Sequence, residues 1–189
     1  MILTPLQTLQ TADVSSIGGH VQIDGGLILY SRSIKMPLWR IYHAESVFTD
    51  AQKASLAASI TKLYSPSSDT GLPRFYTNVV FIPLSPQSIF IGGEPAPQFV
   101  RFTIEQIART FKDDEQKVAW LKMIDEALKP HLADRGDLTW EYHIVETGRR
   151  LWKVSGIVPP WPGTKAEKRW RRENQASLYA EEDNVRSKL

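Results

Sequence analysis

Cysteine and histidine, which often carry catalysis or bind metals, offer little in this sequence: cysteine is absent and the histidines are scattered. The absence of cysteine excludes disulfides, thiolate catalysis and cysteine-ligated metal sites. None of the four histidines stands at metal-ligand spacing from another histidine or a carboxylate, so structural or surface roles are favoured for His20, His43, His131 and His143. No helix start follows Gly92-Gly93 at the distance of a phosphate-binding loop, so a turn is the better interpretation. The sequence therefore predicts no metal and no cofactor.

The composition narrows the class of protein. Hydrophobic residues make up 42% and charged residues 23% of the 189 positions, as in ordinary soluble domains. The 23 basic and 21 acidic residues leave a net charge of only +2, which does not favour a nucleic-acid partner. No apolar run reaches the roughly 18 residues of a membrane span, and no signal-peptide pattern opens the chain. We therefore expect a cytoplasmic protein without a nucleic-acid or membrane partner.

The chain divides into three segments. Residues 1–35 are polar, and within them only Leu27–Tyr30 looks like a strand. Residues 36–163 carry the apolar periodic stretches and should form the domain. Residues 164–189 combine a basic amphipathic helix, Thr164–Asn174, with an acidic tail. The length suits one compact domain, so we expect one domain with two appendages.

The first half of the domain predicts a strand, a helix and a strand. The compact run Met36–His43 is typical of a strand. Thr49 with Gln52 three residues later forms a capping box that starts a helix, and Ser65-Pro66 ends it. Phe75–Leu84 is rich in Val, Ile and aromatic residues and predicts a buried strand. Apolar residues at helical spacing mark the buried helix face: Leu56, Ile60, Leu63 and Tyr64.

The second half repeats this order. Val100–Ile107 predicts a strand, Asp113–Lys129 a helix that Pro130 stops, and Thr139–Val145 a further strand. The apolar stripe of this helix is expected at Val118, Leu121, Ile124 and Leu128.

Two strand-helix-strand units predict a fold that contains both helices and strands (α/β), more specifically one of the α+β class. A right-handed crossover makes the strands of each unit parallel, and the two units together form one mixed sheet with both helices on one face. The other face of the sheet then needs a cover. A copy of the same chain is the natural one, so we expect a symmetric oligomer.

Five short stretches carry a family resemblance: Met36–His43, Ile89–Gly93, Ile107–Thr110, Trp140–Tyr142 and Gly156–Gly163. In this order and spacing they resemble the fungal relatives of cis-3-chloroacrylic acid dehalogenase in the tautomerase superfamily. The resemblance implies the tautomerase β-α-β fold, a homotrimer, a small carboxylate substrate and no cofactor.

The resemblance draws attention to Pro37, because the superfamily uses an amino-terminal proline that removal of the initiator methionine exposes. The free secondary amine accepts a proton once burial or nearby cations lower its pKa. Inside a chain the same nitrogen is an amide and is not basic. If the chain starts at Met36, Pro37 is the catalytic base or acid. If residues 1–35 are present, that chemistry is impossible and Pro37 is a proline that opens an edge strand.

Two arginines that hold the substrate carboxylate in the named relative are only partly matched here. The second corresponds to Arg109, for which an ion pair at a subunit boundary is the alternative. The first falls on Gln106, and Arg101 is a displaced substitute. Half of the expected charge-assisted clamp is therefore missing.

Three further roles carry over by position. The tyrosine that assists water activation corresponds to Tyr142, whose alternative is a half-buried strand tyrosine with a satisfied hydroxyl. The helix histidine of the relative falls on Tyr64, which donates a hydrogen bond but does not titrate near neutrality. The glutamate that polarises water falls near Lys153, so a negative residue has become a positive one.

These substitutions favour tautomerisation over dehalogenation. Hydrolytic dehalogenation needs an activated water, and the glutamate that would activate it is absent. Keto-enol tautomerisation needs one proton-transfer group and a cation near the enolate, which Pro37, Arg109 and Lys153 supply. The alternative is a non-catalytic trimeric member whose buried proline serves assembly or partner binding. A third class, a nucleic-acid binder, uses the basic helix around Trp170, although a solvated helix whose tryptophan docks on a neighbouring subunit is favoured.

Overall fold

The computed structural model describes residues 36–67, 71–108 and 110–185, together with the backbone of residues 20–23 and 26–29. The chain forms two compact units, Met1–Ser31 and Arg32–Leu189. In the first unit, strands β1 (His20–Ile23) and β2 (Gly26–Leu29) pair antiparallel. The strand predicted at Leu27–Tyr30 corresponds to β2, and Tyr30 lies outside the described residues.

The second unit contains the elements that the duplicated pattern predicts and a small hairpin. In chain order they are β3 (Met36–Ala44), α1 (Asp50–Tyr64), β4 (Asn78–Leu84), β5 (Phe90–Ile91), β6 (Glu94–Pro95), β7 (Phe99–Ile107), α2 (Asp114–Leu128), β8 (Thr139–Thr147) and α3 (Lys165–Glu173).

The main sheet has four strands in the order β4-β3-β7-β8. Strands β3 and β4 are parallel, β7 and β8 are parallel, and β3 and β7 pair antiparallel in the centre. Two right-handed strand-helix-strand units joined through their first strands give this order. The predicted α+β fold, with one mixed sheet, is confirmed.

Both long helices begin at side-chain caps. Thr49 accepts a hydrogen bond from the Gln52 amide while the Gln52 side chain accepts one from the Thr49 amide, which is the predicted capping box. Asp113 accepts a hydrogen bond from the Gln116 amide at the start of α2. These local bonds explain why the helix starts could be predicted closely.

Both helices cover the same face of the sheet. Alternate residues of the two central strands are fully buried, and the Tyr64 hydroxyl of α1 bonds Trp39 of β3 and Gln106 of β7 on that face. On the same face, Tyr142 of β8 donates a hydrogen bond to Asp125 of α2. The hydrophobic core lies between this face and the helices.

The opposite face of the sheet carries charged pairs beside apolar side chains. Arg40 forms an ion pair with Glu105, and Arg101 forms one with Glu141 across β7 and β8. Val80 in β4 is 45% exposed on this side of the sheet. A cover by a second copy of the chain stays a prediction.

Two predictions about the packing of α2 and β4 are wrong. The inward face of α2 carries Trp120, Ile124 and Leu128, whereas Val118 is 66% and Leu121 38% exposed. The segment predicted as a buried strand at Phe75–Leu84 forms a short 3-10 turn and then the partly exposed edge strand β4.

The prediction that Trp170 of α3 docks on a neighbouring subunit is also wrong. Trp170 is fully buried in its own chain, where its ring packs against Phe75, Tyr76 and Tyr179. The helix itself was predicted correctly, with Thr164 as its cap. In the part of the chain that the structure describes, no helix is long and apolar enough to cross a bilayer.

Gly71 returns the chain against the end of α1, and we expect Gly71→Ala to destabilise the domain. Its φ of +82° is in the left-handed region, and a Cβ there would lie 2.3 Å from the Tyr64 carbonyl oxygen. Since both the backbone conformation and the contact oppose a side chain, the loss should be at least about 2 kcal/mol in urea unfolding.

Gly136→Ala is the matched control for this variant. Gly136 has a φ of +72°, but a Cβ there meets nothing within 4 Å. It should therefore show only the cost of the left-handed conformation, on the order of 1 kcal/mol. Equal losses in the two variants would mean that the contact with Tyr64 does not matter.

His43, near the end of β3, should make stability fall in mild acid. The ring is fully buried between Phe48 and Phe81, and its Nδ1 bonds the Ala44 carbonyl. Its Nε2 has no partner among the described residues. Burial, with a smaller effect of Lys53, lowers the pKa of His43 below its ordinary value, and the Ala44 bond opposes this only in part.

Proton linkage gives the direction in which the free energy of unfolding changes with pH. Below about pH 6.5 the unfolded histidine binds a proton that the folded one resists, so the free energy of unfolding decreases as the pH falls through that value. Urea unfolding at pH 7.5 and 5.5 measures this loss, which should be smaller in His43→Gln. Burial also lowers the pKa of His131, so part of the loss remains in that variant. An unchanged loss would assign the whole effect elsewhere.

Candidate active site

Pro37 lies on the buried face of the sheet at the start of β3. In the antiparallel pairing of β3 with β7, Pro37 stands opposite Gln106 and Met36 stands opposite Ile107. Because Met36 precedes it, the nitrogen of Pro37 is an amide in this chain.

Tyr64, the last residue of α1, brings a hydroxyl to the same place. Its oxygen accepts hydrogen bonds from Trp39 Nε1 at 3.1 Å and from Gln106 Nε2 at 3.2 Å. The position of Tyr64 is fixed by the returning loop, since the Leu72 amide donates to the Tyr64 carbonyl at 2.8 Å. A helix end, two strands and a loop therefore meet at this hydroxyl.

Burial controls the chemistry of the Tyr64 hydroxyl. The residue is 6% exposed, and its ring packs edge-on against Trp120 with centroids 5.2 Å apart. Burial raises the pKa of Tyr64 well above its ordinary value, and the bonds from Trp39 and Gln106 offset this only in part. The hydroxyl therefore remains protonated near neutral pH and acts as a neutral hydrogen-bonding group.

Gln106 has one satisfied end and one unsatisfied end. The side chain is fully buried, and its Nε2 donates to Tyr64 while its Oε1 has no hydrogen-bond partner in the described part of the protein. Leaving a buried acceptor unpaired costs about 1–3 kcal/mol. A buried polar group without a partner is uncommon in proteins, and a role at a functional site is one explanation for it.

Two of the expected site residues lie apart from Pro37 within one chain. Tyr142 stands opposite Phe102, roughly 13 Å along the strand from the level of Gln106. Its hydroxyl donates to Asp125 at 2.7 Å, and burial with this carboxylate raises the pKa of Tyr142. Arg101 is on the opposite face of the sheet, in its ion pair with Glu141.

The remaining two are placed differently. Lys153 is exposed in the segment that follows β8. Arg109 lies outside the described residues. The structure thus brings together Pro37, Tyr64 and Gln106 and leaves Tyr142 and Arg101 away from them in a single subunit.

Two tryptophans of this site were missed. Trp39 is two residues after Pro37 and therefore on the same face of β3, a signal that alternation along the strand could have provided. Trp120 was missed because the α2 stripe was assigned through Val118 instead. In the described part of the chain, no three His, Asp or Glu side chains lie close enough together to hold a metal ion.

Residues 36–175 match the model of a family described as "Putative oxalocrotonate tautomerase enzyme". None of the curated proteins matches the chain significantly.

Solved structures with the same fold come from bacteria and fungi. A probable enzyme from the thermophilic fungus Aspergillus fumigatus is 41% identical, with 77% of this chain and 99% of that chain covered and a TM-score of 0.70. Native RhCC from Rhodococcus jostii RHA1 is 35% identical, with 75% and 99% covered and a TM-score of 0.70. N1, a member of the cis-3-chloroacrylic acid dehalogenase family, is 18% identical, with 70% and 88% covered and a TM-score of 0.53, and shares the fold.

Proposed function

We propose, since this chain belongs to the tautomerase family that the model describes, that it is a cytoplasmic, cofactor-independent keto-enol tautomerase of small 2-keto acids or their enols. Pro37 is its acid-base group in a form of the protein that begins at this residue. The observation that supports this most is the position of Pro37, buried on the core face of the sheet opposite Gln106 and beside the Tyr64 network.

The chemistry requires one proton to move. The free amine of Pro37 removes a proton from the enol oxygen or from carbon and returns it at the other position. Burial disfavours the charged ammonium and so brings the amine towards a pKa at which it exchanges protons near neutrality. Arg109 is proposed to bind the substrate carboxylate, and Lys153 adds positive potential for the enolate.

A homotrimer is part of this proposal. Tyr142 is too far along β8 to reach Pro37 of its own chain, so in a catalytic role it would serve the Pro37 of a neighbouring subunit. Copies of the chain can pack on the face of the sheet that the helices leave open, which carries the Arg40–Glu105 and Arg101–Glu141 pairs, while Tyr142 and Pro37 themselves lie on the helix-covered face. A contact between copies that completes the site would explain why one chain holds only part of it.

Dehalogenation is not proposed. It needs a water activated by a base, and Lys153 stands near the position where the resemblance places the water-polarising glutamate. A lysine repels the proton that such a base would have to accept.

The second candidate is a non-catalytic family member that serves assembly or partner binding. One observation favours it: β3 begins at Met36, which is itself paired with Ile107, so the strand continues across the Met36–Pro37 bond. In a protein that keeps this bond, Pro37 has no basic nitrogen.

Intact mass measurement and N-terminal sequencing of the protein from its native source separate the two candidates. The catalytic proposal expects a chain that begins at Pro37. A native chain that begins at Met1 would overturn it and favour the assembly role.

A further inference from the structure

The orphaned end of Gln106 is held in a fixed position. Its Nε2 is anchored on the Tyr64 hydroxyl, and that hydroxyl is anchored in turn by Trp39. All three side chains are buried. Burial and the bond to Tyr64 therefore keep Oε1 from turning towards water, and the residue paired with Gln106 across the two strands is a candidate to meet this acceptor.

That residue is Pro37. Side chains directly opposite each other in an antiparallel pair have Cβ atoms about 4.5–5.5 Å apart, within reach of a glutamine amide. A proline inside a chain has no N–H to donate. In this chain, Pro37 therefore offers Gln106 no donor.

We propose that Gln106 Oε1 accepts a hydrogen bond from the free amine of Pro37, which makes Gln106 a positioning residue for the base. The inference rests on the proposed function, because it needs the form of the protein that begins at Pro37. A neutral secondary amine has one N–H and one lone pair. When Gln106 holds the N–H, the lone pair has a single direction in which to take the substrate proton.

This role differs from the one that the family resemblance implies for Gln106. A carboxylate substrate has only acceptor oxygens and cannot donate to Oε1. With its amide oriented so that Nε2 donates to Tyr64, Gln106 presents an acceptor and so does not replace the missing arginine of the carboxylate clamp. It fits a donor, and the amine of Pro37 is the donor that stands opposite.

Among the described residues, the side chains that meet at the Tyr64 hydroxyl and ring are uncharged. Tyr64 of α1 stays neutral, and α2 contributes the indole of Trp120 to this end of the core. Glu146 of β8 is level with Gln106, and its carboxylate accepts the Phe111 amide at 2.6 Å. Arg109 lies outside the described residues. All variants in the test therefore keep Arg109, so that its effect on the amine is the same in each.

The test uses a chain expressed with a methionine directly before Pro37, so that removal of the methionine leaves the proline amine. Two observations support independent folding of this part. Residues from 32 onward form a separate compact unit, and the Aspergillus fumigatus and Rhodococcus jostii proteins are complete chains of this domain, with 99% of their lengths covered. Proline labelled with ¹⁵N then reports the titration of the Pro37 amine by NMR.

Opposite changes at position 106 should move this titration in opposite directions. Gln106→Met keeps the shape but removes the acceptor, so the ammonium loses a bond and its pKa should fall by about one unit. Gln106→Glu places a carboxylate opposite the amine and should raise the pKa. Thr103→Val, on the other face of the same strand, is the control and should leave it unchanged.

The two proposals fail in different ways. Unchanged pKa values in Gln106→Met and Gln106→Glu, or shifts of equal sign, would overturn the role of Gln106. Removal of the acceptor decides, so if Gln106→Met does not fold, as judged by circular dichroism, Gln106→Leu takes its place. Because the titration needs no turnover, an inactive chain with the expected shifts would overturn the tautomerase function and keep the contact.

Discussion

Phenylenolpyruvate should be converted to phenylpyruvate by a chain that begins at Pro37, and not by the chain that begins at Met1. The domain is the same in both chains, which differ in the presence of residues 1–36 and in the chemical nature of the Pro37 nitrogen. A positioned proton-transfer group contributes about 10²–10⁴-fold to such a reaction. We therefore expect kcat/KM to differ by at least about 100-fold, measured from the decay of enol absorbance.

A second variant separates the amine from the shorter length. In the chain that begins at Pro37, Pro37→Ala replaces the buried ring amine by a primary amine without the fixed geometry, and activity should fall to near background. Chloride release from cis-3-chloroacrylate should stay at background in all forms, since the family resemblance places the water-polarising glutamate near Lys153, a residue of opposite charge. Equal turnover by the Met1 chain would exclude Pro37 as the base. Inactivity of all folded forms would favour the assembly role.

Local chemistry made the element boundaries predictable. The bonds that start α1 join Thr49 to Gln52, three residues away, and the cap of α2 spans an equally short stretch. Such signals are complete within one turn of chain. The order of the strands also followed from short-range rules, because a right-handed crossover leaves few ways to join two strand-helix-strand units.

Local signals of this kind could not decide which face of α2 points to the core. Two stripes, one through Val118 and one through Trp120, share Ile124 and Leu128. The choice between them depends on the ring of Tyr64, which packs against Trp120 from a different helix. The partial exposure of β4 likewise depends on its place at the edge of the sheet, which its apolar composition does not reveal.

The arrangement of the candidate site was likewise predictable only where local sequence signals decide it. Alternation along β7 alone indicates that Arg101 and Gln106, five positions apart, face opposite sides of the sheet. The meeting of Gln106 with Pro37 depends on the register of two strands about 70 residues apart in the chain, which no local rule provides. The orphaned Oε1 becomes visible only when every neighbour is in place.

Replacing Trp170 by alanine should lower the free energy of unfolding of this domain by about 3–5 kcal/mol, as expected for a large aromatic side chain lost from a core. The indole is fully buried, and its Nε1 donates to the Ser177 carbonyl at 2.8 Å. Its ring also touches Tyr76, which packs against Trp152 in turn. Through these contacts α3 holds the turn that leads into β4.

Urea unfolding at several protein concentrations distinguishes this role from docking on a neighbouring subunit. A core residue lowers the midpoint equally at every concentration, whereas an interface residue changes how the midpoint depends on concentration. Leu151→Ala is the control, because Leu151 is 82% exposed and should change stability by less than about 0.5 kcal/mol. A small loss in Trp170→Ala together with weakened association would return α3 to the subunit interface, and a large loss at every concentration makes it part of the fold that positions Tyr64 and Pro37.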